Sequence, residues 1–188
     1  YLRNATAYGY SPRLRVDLVV NNLTSYAVAT GEVRLQSDGT PWRPLVHVED
    51  ISRAFIALLD APREIIHDAA FNVGRSEENY RVREVAELVG RIVSGSRISI
   101  ATGASPDKRS YRVNFDKINS LLPGFSCDFD AEAGARELRE VFERIGLTRE
   151  QFEHRGFTRL KALEHLIRSR QIDKDFYWTS AREAEAVA

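Results

Sequence analysis

The sequence contains no methionine and a single cysteine, Cys127, among its 188 residues. One thiol excludes an internal disulfide and fits a reducing compartment. Translation starts at methionine, so Tyr1 is expected to be exposed by processing or to be the first residue of a fragment. The fragment reading is favoured, because residues 1–9 read as a strand already in progress. No apolar run approaches the roughly 20 residues that span a bilayer, and no secretory signal pattern opens the chain. Neither sign of charge is in excess. With 27 Lys and Arg against 27 Asp and Glu, nothing marks a nucleic-acid footprint or a membrane-surface stripe. A soluble cytoplasmic protein, with neither nucleic acid nor membrane as a partner, is the expectation.

Several chemistries are also absent. No tyrosine has a lysine four residues on, and no glycines fall at the spacing of a dinucleotide-binding loop. None of the four histidines is paired at metal-ligand spacing, and Cys127 has no partner, so a zinc site is not expected. No G-x-S-x-G elbow occurs. No catalytic residue is therefore assigned in this chain.

What is present is an α/β pattern. Residues 2–8 read as a strand ending at Gly9, and residues 17–30 as a helix with Leu18, Val19, Leu23, Tyr26 and Ala27 on one face, closed by Gly31. Residues 33–37 alternate apolar and polar. The turn formers Asp38-Gly39 lead to a short apolar run, residues 44–48, read as a buried strand with Arg43 just before it. Glu49-Asp50 then open a helix whose apolar positions are Ile51, Ala54, Phe55, Leu58 and Leu59. His47 is expected to pack in or beside its strand rather than to act as a base.

Further on, residues 70–74 read as a short buried strand. Val82, Val85, Ala86, Val89, Ile92 and Val93 fit a helical period, and residues 97–101 read as a strand. A charged cluster, residues 106–113, precedes a helix beginning near Asp116. From Phe125 onward the pattern is helical. Thr148 with Gln151 fits a capping box, Leu160, Leu163, Leu166 and Ile167 stripe a last helix, and residues 175–178 form an aromatic end expected to pack down. Residues 181–188 are expected to fray.

The run Trp42-Arg43-Pro44-Leu45-Val46-His47-Val48-Glu49-Asp50 resembles the R-D-(aromatic)-(aliphatic)-H-V-x-D segment of the NAD-dependent epimerase/dehydratase family, the extended short-chain dehydrogenases acting on nucleotide sugars. Pro44 stands where the family has aspartate. Ala5-Thr6-Ala7-Tyr8-Gly9 resembles the end of the family's sixth sheet strand, with Thr6 where many members carry asparagine. Asn21-Asn22-Leu23 is similar to its N-N-L segment, Phe71-Asn72-Val73-Gly74 to its (F/Y)-N-(V/I)-G signature, and Asp107-Lys108-Arg109 to its D-x-R segment. They occur in the family's order, over residue 1 to about residue 118.

The resemblance implies the carboxyl-terminal part of an extended Rossmann-type, NAD(P)-binding fold, with a small α/β substrate-binding domain over 1–125 and a helical extension over 126–188. It implies NAD or NADP as cofactor, held mainly by sequence outside this chain, with Ala5, Thr6 and Tyr8 contributing. It implies a nucleotide diphosphate sugar as substrate, bound by Asn21, Asn22, Leu23, Arg43, Asp107 and Arg109, and a homodimer as the intact enzyme. Arg43 and Arg109 are expected to converge on one diphosphate, because each planar guanidinium fork can give paired bonds to phosphate oxygens. Two other readings stay open: an NADPH-dependent keto-sugar reductase of the same superfamily, and a non-catalytic sugar-nucleotide-binding module.

Overall fold

Leu45 and Val46 point to opposite sides of one strand, and each is buried in a different hydrophobic core. A strand covered on both faces needs apolar residues in succession rather than in alternation, which is why this run stands out in the sequence. The structure, a computed structural model, describes residues 1–101, 109–122 and 124–179. Its contacts divide the chain into two units, Tyr1–Phe152 and Glu153–Ala188.

The strands of the first unit are β1 (Leu2–Asn4), β2 (Thr6–Tyr8), β3 (Glu32–Leu35), β4 (Trp42–His47), β5 (Phe71–Val73), β6 (Asn79–Arg81) and β7 (Arg97–Ile100). Between them run α1 (Val19–Thr30), α2 (Val48–Asp60), the short α3 (Arg63–Ile66) and α4 (Val82–Ile92). Then follow α5 (Asp116–Leu121), α6 (Ala131–Arg144) and α7 (Arg149–Glu153). Pairing is parallel for β1 with β5, β2 with β4 and β3 with β7, and antiparallel for β4 with β6.

The single strand expected over residues 2–8 is broken at Ala5. β1 and β2 serve different neighbours, and the Ala5 N–H still donates to the Val73 carbonyl at 3.0 Å, so the ladder changes partner without a gap. A second correction concerns Arg43, which lies inside β4 and not before it. β6 extends β4 backwards by pairing Trp42 with Arg81, Arg43 with Tyr80 and Pro44 with Asn79. Proline is accommodated because the pairing with β2 begins only at Leu45.

α1 ends as expected at Gly31, whose left-handed backbone (φ 73°) lets its N–H reach the Ala27 carbonyl at 2.8 Å. α2 departs from expectation. Ile51 and Leu58 pack on the second core around buried Ala54, but Phe55 and Leu59 are 52% and 84% exposed. Helical spacing identifies an apolar stripe; it does not say which part of it is covered.

The boundary expected at residue 125 is not where the contacts divide the chain. Ala131, Ala135, Leu138 and Phe142 of α6 are fully buried in the first core beside Val20, Leu23 and Val89, so this helix is part of the first unit. The capping box is present, with Thr148 N–H to Gln151 Oε1 at 2.9 Å and Gln151 N–H to Thr148 Oγ at 3.2 Å. In the second unit, α8 (Arg159–Arg168) forms, yet Phe176, Tyr177 and Trp178 stand more than half exposed instead of packing down. Asp173 Oδ1 accepts from the N–H groups of Asp175 and Tyr177, at 2.9 and 3.1 Å, folding this segment into a tight turn that points the rings outward. The fraying expected at residues 181–188 lies outside the described residues.

Candidate functional site

A cleft of about 830 Å³ opens in the first unit, within the size range of small-molecule sites. Its apolar lining is Leu18, Val19, Leu23, Leu35 and Val82. The guanidinium-bearing residues Arg34, Arg43 and Arg109 line it together with Thr6, Asn22 and Tyr111. Asp17 also lines it, but its carboxylate is gripped in a fork by Arg15, Nε to Oδ1 at 3.0 Å and Nη2 to Oδ2 at 2.6 Å. Three arginines thus bring guanidinium groups to the cleft, groups whose planar forks match phosphate or carboxylate oxygens.

Arg43 and Arg109 meet although 66 residues separate them. Arg43 Nη1 donates to its own neighbour's carbonyl, Trp42, at 2.7 Å, and to the Arg109 carbonyl, while its guanidinium carbon lies 5.9 Å from the Tyr111 ring centroid. Arg43 therefore ties the arginine-bearing segment to β4 as well as lining the cleft.

The end of β4 carries a tightly packed cluster around His47. His47, 1% exposed, stacks on Phe129 with ring centroids 4.1 Å apart and meets Tyr8 edge-on at 5.3 Å. Its Nδ1 accepts from the Glu49 N–H at 3.2 Å, capping α2, so the proton belongs on Nε2, which faces Glu137 Oε2 at 3.0 Å. His47 is thus a packing and capping residue, as its sequence setting suggested.

Two buried carboxylates fasten the chain as it enters α6. Asp50 accepts from the N–H groups of Asp128 and Phe129 at 3.0 and 3.1 Å, and Glu78 from that of Ala131 at 2.8 Å. Burial raises Glu78 above the usual carboxylate range against those hydrogen bonds, and burial beside Glu78 pushes Tyr80 up to about 12. Burial likewise pushes the Cys127 thiol up to about 12, helped by the charge of Asp50, which keeps it protonated and unreactive near neutral pH.

Residues 1–74 match the model of the NAD dependent epimerase/dehydratase family. Over those residues the chain is similar to that family. Its fold is similar to that of the UDP-glucuronic acid 4-epimerase of Bacillus cereus, solved with UDP-glucuronic acid and NAD. That match has 20% identity and a TM-score of 0.63 over 77% of this chain and 45% of that one. The UDP-glucose 4-epimerase of Thermotoga maritima, solved with UDP-glucose, matches at 24% identity and TM-score 0.64, over 77% of this chain and 45% of that one. For the dTDP-glucose 4,6-dehydratase of Bacillus anthracis, solved with NAD, the values are 20% and 0.63, over 80% and 45%. The chain spans less than half the length of these structures, and the likeness establishes a partial extended Rossmann-type α/β fold.

The epimerase/dehydratase-like residues divide by position. Thr6, Asn22, Leu23, Arg43 and Arg109 line the same cleft. Asn21 does not. It is buried, its Oδ1 accepts from the Gly9 N–H at 3.1 Å and its Nδ2 donates to the Arg15 carbonyl at 2.9 Å. Asn22 Nδ2 likewise donates to the Val16 carbonyl at 2.9 Å, so the paired asparagines hold down the loop before α1. Ala5 is engaged in the strand ladder. Tyr8, 1% exposed, is packed in the first core with its hydroxyl buried and unpaired. Asp107 lies outside the described residues.

Arg34 and Tyr111 line the cleft without having been singled out. Arg34 occupies the polar position between inward-facing Val33 and Leu35, so the alternation of β3 already placed it opposite the core. Tyr111 carries no such signal, since the segment around it has no regular structure.

Proposed function

We propose that this chain is the part of an NAD(P)-dependent nucleotide-sugar epimerase/dehydratase that grips the substrate's diphosphate. The observation that carries the reading is the convergence of Arg43 and Arg109, from segments 66 residues apart, on one arginine-lined cleft. The match of residues 1–74 to the family model, and similar folds solved with UDP-sugars, support a nucleotide sugar as the occupant. The apolar lining, with Leu18, Val19 and Val82, suits the flat face of a base, while the arginines suit the phosphates.

The cofactor belongs mainly to polypeptide that these 188 residues do not include, since they hold neither a glycine-rich phosphate loop nor a tyrosine–lysine pair. Of the three residues assigned to cofactor contact, Thr6 fits, because it faces the cleft; Ala5 and Tyr8 are committed to the ladder and the core. Bound NAD would take hydride from a sugar carbon and could return it. The role of this chain is to hold the sugar by its diphosphate while that happens.

The test is calorimetry on the intact protein with UDP-glucose. Saturable binding is expected, weakened about tenfold or more by Arg43→Ala while NAD affinity stays within about twofold, because charge-assisted bonds to phosphate are lost and nothing near the cofactor changes. Undiminished UDP-glucose affinity in that variant would remove the diphosphate role.

A further inference from the structure

We infer that Trp42 is a positioning residue, docking residues 109–113 onto the start of β4 so that Arg109 is held at the cleft. The inference rests on reading the cleft as a diphosphate site. Trp42 does not line the cleft itself. Its N–H donates to Ser110 Oγ at 3.1 Å, and its carbonyl accepts from Arg43 Nη1 at 2.7 Å and, more loosely, from the Tyr111 N–H at 3.5 Å. Its indole carries two cations, with Arg112 at 4.8 Å and Arg81 at 5.2 Å from the ring. One further anchor closes the segment, because Asn79 accepts from the Val113 N–H at 2.9 Å and donates to the Val113 carbonyl at 3.0 Å.

The attachment is therefore made by side chains at both ends and by a ring between them, with no continuous strand pairing. A segment held this way has its geometry set by a few contacts, and the largest of them is the indole. Removing the ring leaves Ser110 bonded but frees Arg112, and Arg109 then samples positions that a diphosphate must pay to restrict.

The test titrates the intact protein with UDP and with uridine, and follows amide exchange at Tyr111 and Val113 without ligand. In Trp42→Ala, UDP affinity is expected to fall about tenfold while uridine affinity holds, and exchange at both amides to quicken. Trp42→Phe, which keeps a ring for the cations, should come back to within about threefold of wild type. Arg112→Gln alters only an exposed side chain and should leave the fold intact; a loss of about threefold for UDP is expected. Equal losses for UDP and uridine, or unchanged UDP affinity in both Trp42→Ala and Arg112→Gln, would overturn the positioning role. If wild-type protein ignores UDP, the diphosphate reading fails; quickened exchange in Trp42→Ala would then still support docking, and unchanged exchange would overturn it.

Discussion

His47 Nε2 and Glu137 Oε2 meet at 3.0 Å across 90 residues, joining the end of β4 to the middle of α6. The same carboxylate oxygen accepts from the Tyr10 N–H at 3.0 Å, so one side chain secures the strand end and the loop that follows β2. His47→Ala removes a buried ring, its stack on Phe129 and the cap on α2 in one step. A loss of about 3 kcal/mol or more is expected from cavity and cap together. Urea unfolding measures it. Glu137→Gln keeps an acceptor oxygen and should cost far less; equal costs would mean the charge, not the packing, holds this junction.

Glu78 gives the fold a dependence on pH. Its folded-state value lies above the ordinary 4.5 because burial outweighs the hydrogen bonds from Ala131 and Tyr80. A raised value means that its contribution is fully present below about 4.5 and is lost as pH rises through the folded value. Wild-type stability measured relative to Glu78→Gln should therefore decline as pH climbs from about 4 and then level off. Asp128 and Asp38, both held low by hydrogen bonds, contribute in the opposite sense at acid pH, but they are common to the two proteins and cancel. A difference that stays flat with pH would show that Glu78 titrates normally.

How much of this was legible in the sequence depends on what each element uses to hold itself. Leu45 and Val46 betray β4 because both of its faces are buried, and Gly31 betrays the end of α1 because its backbone is left-handed. β6 was missed. Asn79-Tyr80-Arg81 is three residues long, mostly polar, and is made a strand by the backbone of β4 rather than by its own side chains. Arg43 and Arg109 were legible as cleft residues through resemblance to a known family, whereas Asn21, expected beside them, lies off the cleft. A buried amide that satisfies Gly9 and Arg15 looks, in one dimension, the same as an amide that awaits a ligand.

Two helical glycines should respond oppositely to alanine. At Gly90 in α4 an added Cβ would rest against Ile98 Cδ1 at 3.4 Å, ordinary contact, so the gain in helix propensity of up to about 1 kcal/mol should appear as added stability. At Gly134 in α6 the same atom would lie 2.2 Å from Tyr8 Cε2, a ring with no room to withdraw. Overpacking there costs roughly 1–3 kcal/mol, which exceeds the propensity gain. Thermal melts of the two variants should move in opposite directions, and a stabilised Gly134→Ala would mean that Tyr8 is free to shift.

Arg43 and Arg109 should not behave as independent contacts. Arg43 Nη1 donates to the Arg109 carbonyl, so Arg43→Ala removes one cation and also loosens the backbone that presents the other. Arg109→Ala removes a side chain while leaving that tie in place. In the intact protein each single substitution is expected to weaken UDP-glucose binding by about ten- to a hundredfold, with Arg43→Ala the more damaging of the two. The double variant should lose clearly less than the product of the single losses, because Arg43→Ala already spoils part of what Arg109 contributes. A double-mutant cycle by calorimetry measures the coupling. Strict additivity would place the two arginines on separate parts of the ligand and end the case for a shared diphosphate.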